Sequence, residues 1–277
     1  MDVLISVDME GVAGIATRQQ TRPDGRDYPI ARALMTAEAN AAIAGAFDGG
    51  ATSVVVNDSH GPMDNLLGEQ LDPRAEYVVG DPKPLDMVQE VTPQTGVVLF
   101  VGYHAGAADP SGVLAHTYSG ATFADVRLNG HPISEAELNA LMAAAAGVPL
   151  GLVTGDDVIC AAAEKAFPGV VTVAVKTALG RTAARSKHPA AARQAITAGA
   201  ARAVAAAASG AIQPVPIPGE LAIEADLRPN GAAELAARMP GTERAGTATV
   251  RYQAASPGQA MDVLIVWETL ASRYLSP

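Results

Sequence analysis

The chain has 277 residues, 49% hydrophobic and 17% charged, so it can bury a large core and is not of the intrinsically disordered class. Its net charge of -10 leaves no basic surface for phosphate groups, which argues against nucleic acid or an anionic membrane as a partner. The sequence contains no apolar run of membrane-spanning length, and its start, MDVLISVDMEG, has the pattern of a strand and not of a basic leader.

The only cysteine, Cys160, cannot form an internal disulfide, which fits the reducing conditions of the cytoplasm. It lies in VICAAAEKAF, on the apolar face of a predicted helix. A small buried residue is expected there, not a nucleophile. We therefore expect a cytoplasmic protein whose chemistry does not use a thiol.

From residue 1 to about 190, short apolar runs alternate with helical segments, as in a mostly parallel sheet covered by helices. Helix 29–47 begins with a proline, and a second helix opens with a capping box between Ser134 and Glu137. Asn129 and Gly130 predict a tight hairpin turn. A short helix is expected near 85–91 and another after residue 157. The predicted strands are 3–7, 53–56, 97–101, 126–128, 132–133, 150–153 and 170–175.

Beyond residue 190 the order of elements changes. A long Ala-rich helix, about 189–209, leads into the Pro-rich linker GAIQPVPIPGE, and then come strand 221–227, helix 232–239, strand 247–253 and helix 258–274. The predicted fold is α/β, a mostly parallel sheet flanked by helices with a smaller α+β C-terminal lobe. We expect residues 1–190 to form the metal-binding catalytic domain and residues 191–277 a smaller domain for packing or oligomerisation.

Three of the five histidines follow apolar runs at or near predicted strand ends. His60 ends VVVNDSH, His104 ends VVLFVGYH, and His116 follows the run GVLA. In open α/β sheets, ligands bind in the crevice at the carboxyl ends of the strands. One histidine at a strand end is commonly a capping or turn residue, but three of them near acidic residues predict a shared site.

Asp8 and Glu10 supply acids at the end of the first strand. If that strand continues past Val7, side-chain alternation places both carboxylates on one face, where they repel each other unless a cation lies between them. If the strand ends at Val7, both acids can simply face water. The apolar runs on either side and the converging histidines favour the first interpretation.

The available donors are imidazoles and carboxylates without thiolates. Zinc accepts this set, as do manganese, cobalt and iron, whereas magnesium and calcium prefer oxygen ligands alone. Glu135, in the first turn of the helix that Ser134 begins, is a further candidate donor. Five donors exceed the needs of one catalytic zinc and suit two metal ions joined by a carboxylate, from Asp8 or Glu10.

Seven motifs spread over nearly the whole chain resemble one known family. They are SVDMEG (6–11), NDSH (57–60), GYHA (102–105), AH (115–116), the SEAELN helix start, AVKTALGR (174–181) and MPGTE (239–243). The family is the zinc D-aminopeptidases encoded with bacterial dipeptide permeases. The resemblance implies a two-zinc aminopeptidase that releases N-terminal D-amino acids, typically D-Ala, from short peptides.

The resemblance also implies roles for particular residues and an assembly. It implies a homo-oligomer, a ring of ten subunits around an internal chamber, with Asp8 as the carboxylate that bridges the two zinc ions and His116 as the catalytic histidine. The zinc ligands that it implies are Asp8, Glu10, His60, His104 and Glu135.

His116 is free to transfer protons or to stabilise the tetrahedral intermediate, because five other donors suffice for the metals. Whether it acts as a nucleophile stays open. Asp58 and Asp156 are candidates for orienting the ligand imidazoles. An acidic site would also attract the free α-ammonium group of a peptide, which favours an aminopeptidase.

Two other functions remain open from the residues alone. A two-metal hydrolase of phosphate esters or non-peptide amides would need a cation beside the metals, for which Lys83, Lys176 and Arg181 are only moderately placed. A peptide-binding or scaffold protein would use the acids structurally and bind no metal.

Overall fold

The computed structural model describes residues 1–275 of the chain. Two short 3-10 turns, Gly68–Gln70 and Asp86–Val88, connect elements of its first half. The helices are α1 (Arg18–Thr21), α2 (Tyr28–Asp48), α3 (Glu135–Ala145), α4 (Asp157–Ala166), α5 (Pro189–Ala208), α6 (Ala232–Ala236) and α7 (Pro257–Ser272). The strands are β1 (Asp2–Val7), β2 (Ser53–Asp58), β3 (Glu76–Val78), β4 (Thr95–Val101), β5 (Phe123–Leu128), β6 (His131–Pro132), β7 (Leu150–Asp156), β8 (Val171–Gly180), β9 (Ala183–Ser186), β10 (Leu221–Leu227), β11 (Glu243–Arg244) and β12 (Thr249–Ala254).

Sheet A has the order β3-β2-β1-β4-β7-β8-β9, and its neighbours are parallel except for β8 and β9. Strand β1 lies inside the sheet, and its two faces pack into different cores. Val3, Ile5 and Val7 face one core, while Leu4 faces the other, as the two-residue period of a strand requires. Burial on both faces explains why β1 reads as a continuous apolar run.

Helices α2 and α5 cover one face of sheet A and pack closely against each other. Gly45 of α2 makes this approach possible, because a Cβ atom there would overlap the carbonyl oxygen of Thr197 and lie 2.8 Å from the Cβ of Ala200. The small side chains of the Ala-rich helices therefore serve close helix packing.

Replacing Gly45 by alanine should destabilise the protein although alanine favours helix by about 1 kcal/mol. The added methyl group must separate α2 from α5, at a cost of about 1–3 kcal/mol. Urea denaturation of both proteins measures the difference, and a more stable variant would show that these helices do not touch as described.

Sheet B is antiparallel and has the order β11-β12-β10-β5-β6. Its inner face and helices α3 and α7 form the second core, together with side chains such as Val98 and Phe100 of sheet A. The sheets do not follow the predicted division at residue 190. Strands β5 and β6 come from the first part of the chain yet pair within sheet B, and α5 covers sheet A. Residues 276 and 277 of the predicted second domain lie outside the described residues.

The predicted fold class is confirmed, and each long predicted element is present within a few residues of its bounds. The hairpin turn is formed by Asn129 and Gly130, whose φ angles are 51° and 79°. The predicted helix at 85–91 is only the turn Asp86–Val88, and predicted strand 132–133 is β6 at His131–Pro132. The short elements α1, β3, β9 and β11 were not predicted. Within residues 1–275 no helix has both the length and the apolar character needed to cross a bilayer.

Candidate metal centre

The candidate site lies at the carboxyl end of sheet A, between β1 and β4. The chain runs from β1 through β2 to β3 on one side and then returns to the other side with β4, so this pair is the switch point of the sheet. Val7 of β1 is paired with both Asp58 and Val101, and the three strands therefore end at one level. Side chains that follow these strands converge on one crevice.

Two glycines bring the loops after β1 and β4 into direct backbone contact. Gly11 donates its N–H to the carbonyl oxygen of Gly102 at 2.7 Å, and a Cβ atom at Gly11 would overlap the carbonyl of Tyr103. Gly102 has a φ of 72°, and a Cβ there would overlap the carbonyl of Asp8. The glycine of SVDMEG and that of GYHA thus place Asp8 and Glu10 beside His104.

The two acids are buried, but not for the reason that the sequence pattern indicates. Strand β1 ends at Val7, so Asp8 and Glu10 do not share a face by strand alternation, and that prediction is wrong. Neither do they face water, because their exposures are only 2% and 6%. The tight turn at Gly11 folds both carboxylates into the crevice.

Each ligand histidine of the prediction has one ring nitrogen held by a backbone carbonyl. His60 Nε2 lies 2.7 Å from the oxygen of Thr21, and His104 Nδ1 lies 2.9 Å from that of Ala105. A carbonyl oxygen can accept a hydrogen bond but cannot donate one, so each of these ring nitrogens carries the proton. The opposite nitrogen of each ring faces the acids, which is how metal-binding histidines are commonly oriented.

All five predicted ligands meet in the crevice. His60 Nδ1 lies 3.1 Å from Asp8 Oδ1 and 2.8 Å from Glu10 Oε2. His104 Nε2 lies 3.3 Å from Asp8 Oδ2 and 3.5 Å from Glu135 Oε2. Within residues 1–275, Asp8 is therefore the one carboxylate that contacts both histidines, with a different oxygen on each.

The burial and hydrogen bonding of the two acids also support metal binding. Asp8 Oδ2 and Glu10 Oε2 are buried and receive no hydrogen bond within residues 1–275, because the histidine nitrogens nearest to them are the ones that carry no proton. Burial and the charge of Glu10 raise the pKa of Asp8 to about 7. Two close buried carboxylates with unpaired oxygens are costly unless a cation neutralises them. Potential ligand atoms of Asp8, Glu10 and His104 lie within 4.8 Å of one another.

His116 reaches the same crevice from a loop, so the expectation that the run GVLA brings it to a strand end is wrong. Its ring stacks on that of His104, with centroids 4.0 Å apart, and its Nδ1 lies 2.8 Å from the carbonyl oxygen of Leu114. Nε2 is 3.9 Å from Glu135 Oε1. Burial and the neighbouring His104 lower the pKa of His116. An imidazole held neutral in this way can accept a proton.

Asp58 and Asp156 orient backbone and not imidazole rings, contrary to the prediction. Asp58 accepts hydrogen bonds from the backbone N–H groups of Asn65 and Leu66, and so shapes the loop that carries His60. Asp156 accepts from the N–H of Val113 and caps α4, which anchors the loop that leads to His116.

The two lysines considered as phosphate ligands are bound elsewhere. Lys83 donates to Asn57 Oδ1 and to the carbonyl of Asp58. Lys176 donates to the carbonyl oxygens of three loop residues, Glu10, Val12 and Ile15. This structural role of Lys176 was not predicted, although a lysine inside the apolar run of β8 is a signal for it.

A cavity of about 800 Å³ opens above the five donors, large enough for a short peptide. Besides the site, its wall includes acidic side chains, Asp81, Asp86 and Glu268, and three arginines, Arg18, Arg22 and Arg181. Four of its residues are non-glycine residues with positive φ, a strained conformation that is concentrated at functional sites. These four are Met63, Asp86, Leu114 and Tyr118.

Comparison with known proteins gives one consistent result. A family model for D-aminopeptidases, peptidase family M55, matches residues 1–266. The D-aminopeptidase of Bacillus subtilis (strain 168) is 38% identical over 277 residues, which span 99% of this chain and 98% of the relative. The solved structure of the Zn-dependent D-aminopeptidase DppA from Bacillus subtilis, described as a self-compartmentalizing protease, has a TM-score of 0.91 at 37% identity, covering 99% and 98% of the two chains. The resemblance and the enzyme class predicted from the sequence are confirmed: the chain belongs to the M55 family of D-aminopeptidases.

Proposed function

We propose that this enzyme is a binuclear zinc aminopeptidase that releases an N-terminal D-amino acid, such as D-Ala, from short peptides. The observation that carries the proposal is the pair of unpartnered buried oxygens, Asp8 Oδ2 and Glu10 Oε2, beside histidines whose other nitrogens are held by carbonyls. The zinc dependence of the Bacillus subtilis relative supports the choice of metal.

The distances suggest how the donors divide between two ions. His60 and Glu10 would hold one ion, His104 and Glu135 would hold the other, and Asp8 would bridge them with its two oxygens. When bound, zinc supplies Lewis acidity toward the scissile carbonyl and lowers the pKa of water toward ~7. The protein contributes a buried and preorganised donor set that requires little rearrangement.

His116 is proposed to move the proton between the attacking water and the leaving amine. Its Nε2 carries the lone pair, since Nδ1 donates to Leu114, and its lowered pKa favours the neutral ring that accepts a proton. The stack on His104 fixes the plane of the ring at the cavity wall.

Replacing His116 by glutamine should lower kcat by about 10²–10⁴-fold while leaving the zinc content unchanged. The amide keeps a polar side chain but cannot carry the proton. Kinetics and metal analysis on the same preparation separate the two possible roles, because a variant that loses zinc would show His116 to be a ligand.

The acids in the cavity favour a peptidase with a free amino terminus over a phosphoesterase. Asp86 and Glu268 line the wall, whereas Lys83 and Lys176 are held by backbone and side-chain oxygens. A substrate ammonium group is attracted to this wall, and a phosphate group is repelled by it. Arg18 and Arg181 at the same cavity are the features that a phosphoester would have to use.

We further propose a homo-oligomer, a ring of ten subunits, in the cytoplasm. The self-compartmentalizing character of the Bacillus subtilis relative supports the assembly. Two large apolar side chains, Leu179 at 69% exposure and Ile30 at 64%, lie on the surface where a neighbouring subunit can cover them. The single buried cysteine supports a reducing compartment.

A panel of dipeptides tests the function directly. We expect the zinc-loaded enzyme to release free D-Ala from D-Ala-D-Ala and D-Ala-Gly, with much less turnover of L-Ala-L-Ala and none of p-nitrophenyl phosphate. A chelator should abolish activity and zinc should restore it. Equal turnover of L-peptides, or turnover of phosphoesters alone, would contradict the proposal.

A further inference from the structure

Asp86, an acid of the cavity wall, has no part in the proposed metal binding or proton transfer. Asp86 is only 4% exposed, yet it lines the cavity and lies in the short turn Asp86–Val88. Its φ of 48° is uncommon for a residue with a side chain, and its carbonyl accepts a hydrogen bond from Asn57 Nδ2 at 3.1 Å. The backbone is thus held in a strained form that keeps this carboxylate at the cavity.

The carboxylate of Asp86 has no ion-pair partner among residues 1–275. The nearest cation in the sequence, Lys83, instead donates to Asn57 Oδ1 and the carbonyl of Asp58. No side chain of the described residues donates a hydrogen bond to it either. Burial raises the pKa of Asp86 to about 7, and within residues 1–275 only the backbone N–H of Met87 opposes this as a hydrogen-bond donor. A cationic ligand in the cavity would favour the charged carboxylate.

A second polar group on the same wall is also unpartnered. The Tyr118 hydroxyl is buried and makes no hydrogen bond within residues 1–275, although the residue lines the cavity. Asp86 and Tyr118 both line this one cavity. A hydroxyl beside a carboxylate offers several acceptor positions to one cation.

This wall adjoins the side of the metal site that Glu135 forms. The backbone N–H of Tyr118 donates to Glu135 Oε1 at 2.6 Å. Met87, the residue after Asp86, lies against Asn139 of α3, one turn beyond Glu135. A group bound between Asp86 and Tyr118 is therefore next to the reaction centre and not at the mouth of the cavity.

We infer that Asp86, together with the Tyr118 hydroxyl, binds the α-ammonium group of the first residue of the substrate. An ammonium group has three N–H donors, which match the carboxylate oxygens and the phenol oxygen. Asp86 does not belong to the groups of potential metal ligands among the described residues, which argues against a third metal ion there. The inference rests on the proposed aminopeptidase function and explains why the enzyme would act only at a free amino terminus.

The subsite predicts discrimination by charge. A peptide whose amino group is acylated would leave Asp86 buried and unpaired. A site that hydrogen-bonds a substrate group strongly rejects an analogue that lacks that group. Substrates would thus be peptides with an unmodified N-terminus, bound by their first residue. Asp86 is a specificity-determining residue in this account and not a participant in bond cleavage.

The test compares two hydroxamate inhibitors on the zinc-loaded, full-length enzyme. D-Alanine hydroxamate and propionohydroxamate carry the same metal-chelating group and differ only in the ammonium group. We expect the wild type to bind the first about 10- to 100-fold more tightly, as hydrogen bonds to a charged group are worth that factor. In Asp86→Asn the ratio should fall to about 1, with KM for D-Ala-D-Ala raised by a similar factor and kcat changed less.

Asparagine is a suitable replacement because it tolerates positive φ, and Asp86→Gly provides a second variant that tolerates it fully. The matched control is Glu90→Gln. Glu90 has a φ of 77°, is exposed, and follows in the same segment, but it does not line the cavity. This control should keep the inhibitor ratio of the wild type.

The outcomes separate the inference from the proposed function. A wild type that cleaves D-Ala-D-Ala, with an unchanged inhibitor ratio in Asp86→Asn, would overturn the inference alone. Loss of zinc from Asp86→Asn, or equal weakening of both hydroxamates, would also overturn it, since the residue would then act through the metal site. A wild type that cleaves no D-peptide would overturn both.

Discussion

Replacing Asp8 by asparagine should lower kcat/KM for D-Ala-D-Ala by more than about 10³-fold while leaving a folded protein. Asp8 is the side chain that touches both His60 and His104, with separate oxygens. An amide cannot bridge two cations, because its nitrogen has no free lone pair to donate. Steady-state kinetics and metal analysis of the purified variant measure the loss of both activity and zinc.

The Asp8→Asn variant should also differ from the wild type in how zinc affects its thermal unfolding. Zinc should raise the melting temperature of the wild type strongly and that of the variant little, because binding to the folded state is what stabilises it. Asp262→Asn is the control, since Asp262 is an exposed residue of α7. Full zinc binding and activity in Asp8→Asn would show that Asp8 is not a ligand.

Replacing Lys176 by methionine should lower the free energy of unfolding by about 3–6 kcal/mol. Its ammonium group donates to the carbonyl oxygens of Glu10, Val12 and Ile15, and removing it leaves those of Glu10 and Ile15 unpaired, whereas that of Val12 keeps the N–H of Ile15. Because one of these carbonyls belongs to Glu10, the variant should also bind zinc more weakly. Urea denaturation and a zinc titration measure the two effects.

The control for this variant is Lys165→Met, an exposed lysine on α4, which should change stability by less than about 0.5 kcal/mol. Equal stability of Lys176→Met and the wild type would contradict the proposal that Lys176 stabilises the loop after β1. A large loss of stability with unchanged zinc affinity would show that Lys176 stabilises this loop but does not affect the metal site.

The sequence predicts the site better than it predicts the local structure that forms it. Asp8, Glu10 and His104 can be located from sequence because they follow apolar runs, and parallel strands end at a common edge. The two acids do not lie on a strand, since β1 ends at Val7, and a turn that depends on contact between Gly11 and Gly102 buries them. Such a contact joins residues 91 positions apart and has no local signal.

Contacts between distant parts of the chain also determine the burial of Asp86 and the pairing of β5. Asp86 lies in a Pro-punctuated stretch, and the burial of its carboxylate depends on packing against other parts of the chain. From its sequence, strand β5 could belong to sheet A, but it pairs with β10 in sheet B. Strands that are distant in sequence carry no pattern that identifies their pairing partner. Helix α3 was predictable because the capping box of Ser134 and Glu137 is local.

The central claim is that two zinc ions are held by Asp8, Glu10, His60, His104 and Glu135. A crystal structure of the zinc-loaded enzyme, with anomalous difference maps on both sides of the zinc absorption edge, tests it most directly. The account predicts two peaks in the crevice between β1 and β4, about 3.5–4 Å apart, with Asp8 between them. One peak alone, or peaks away from these five side chains, would contradict it.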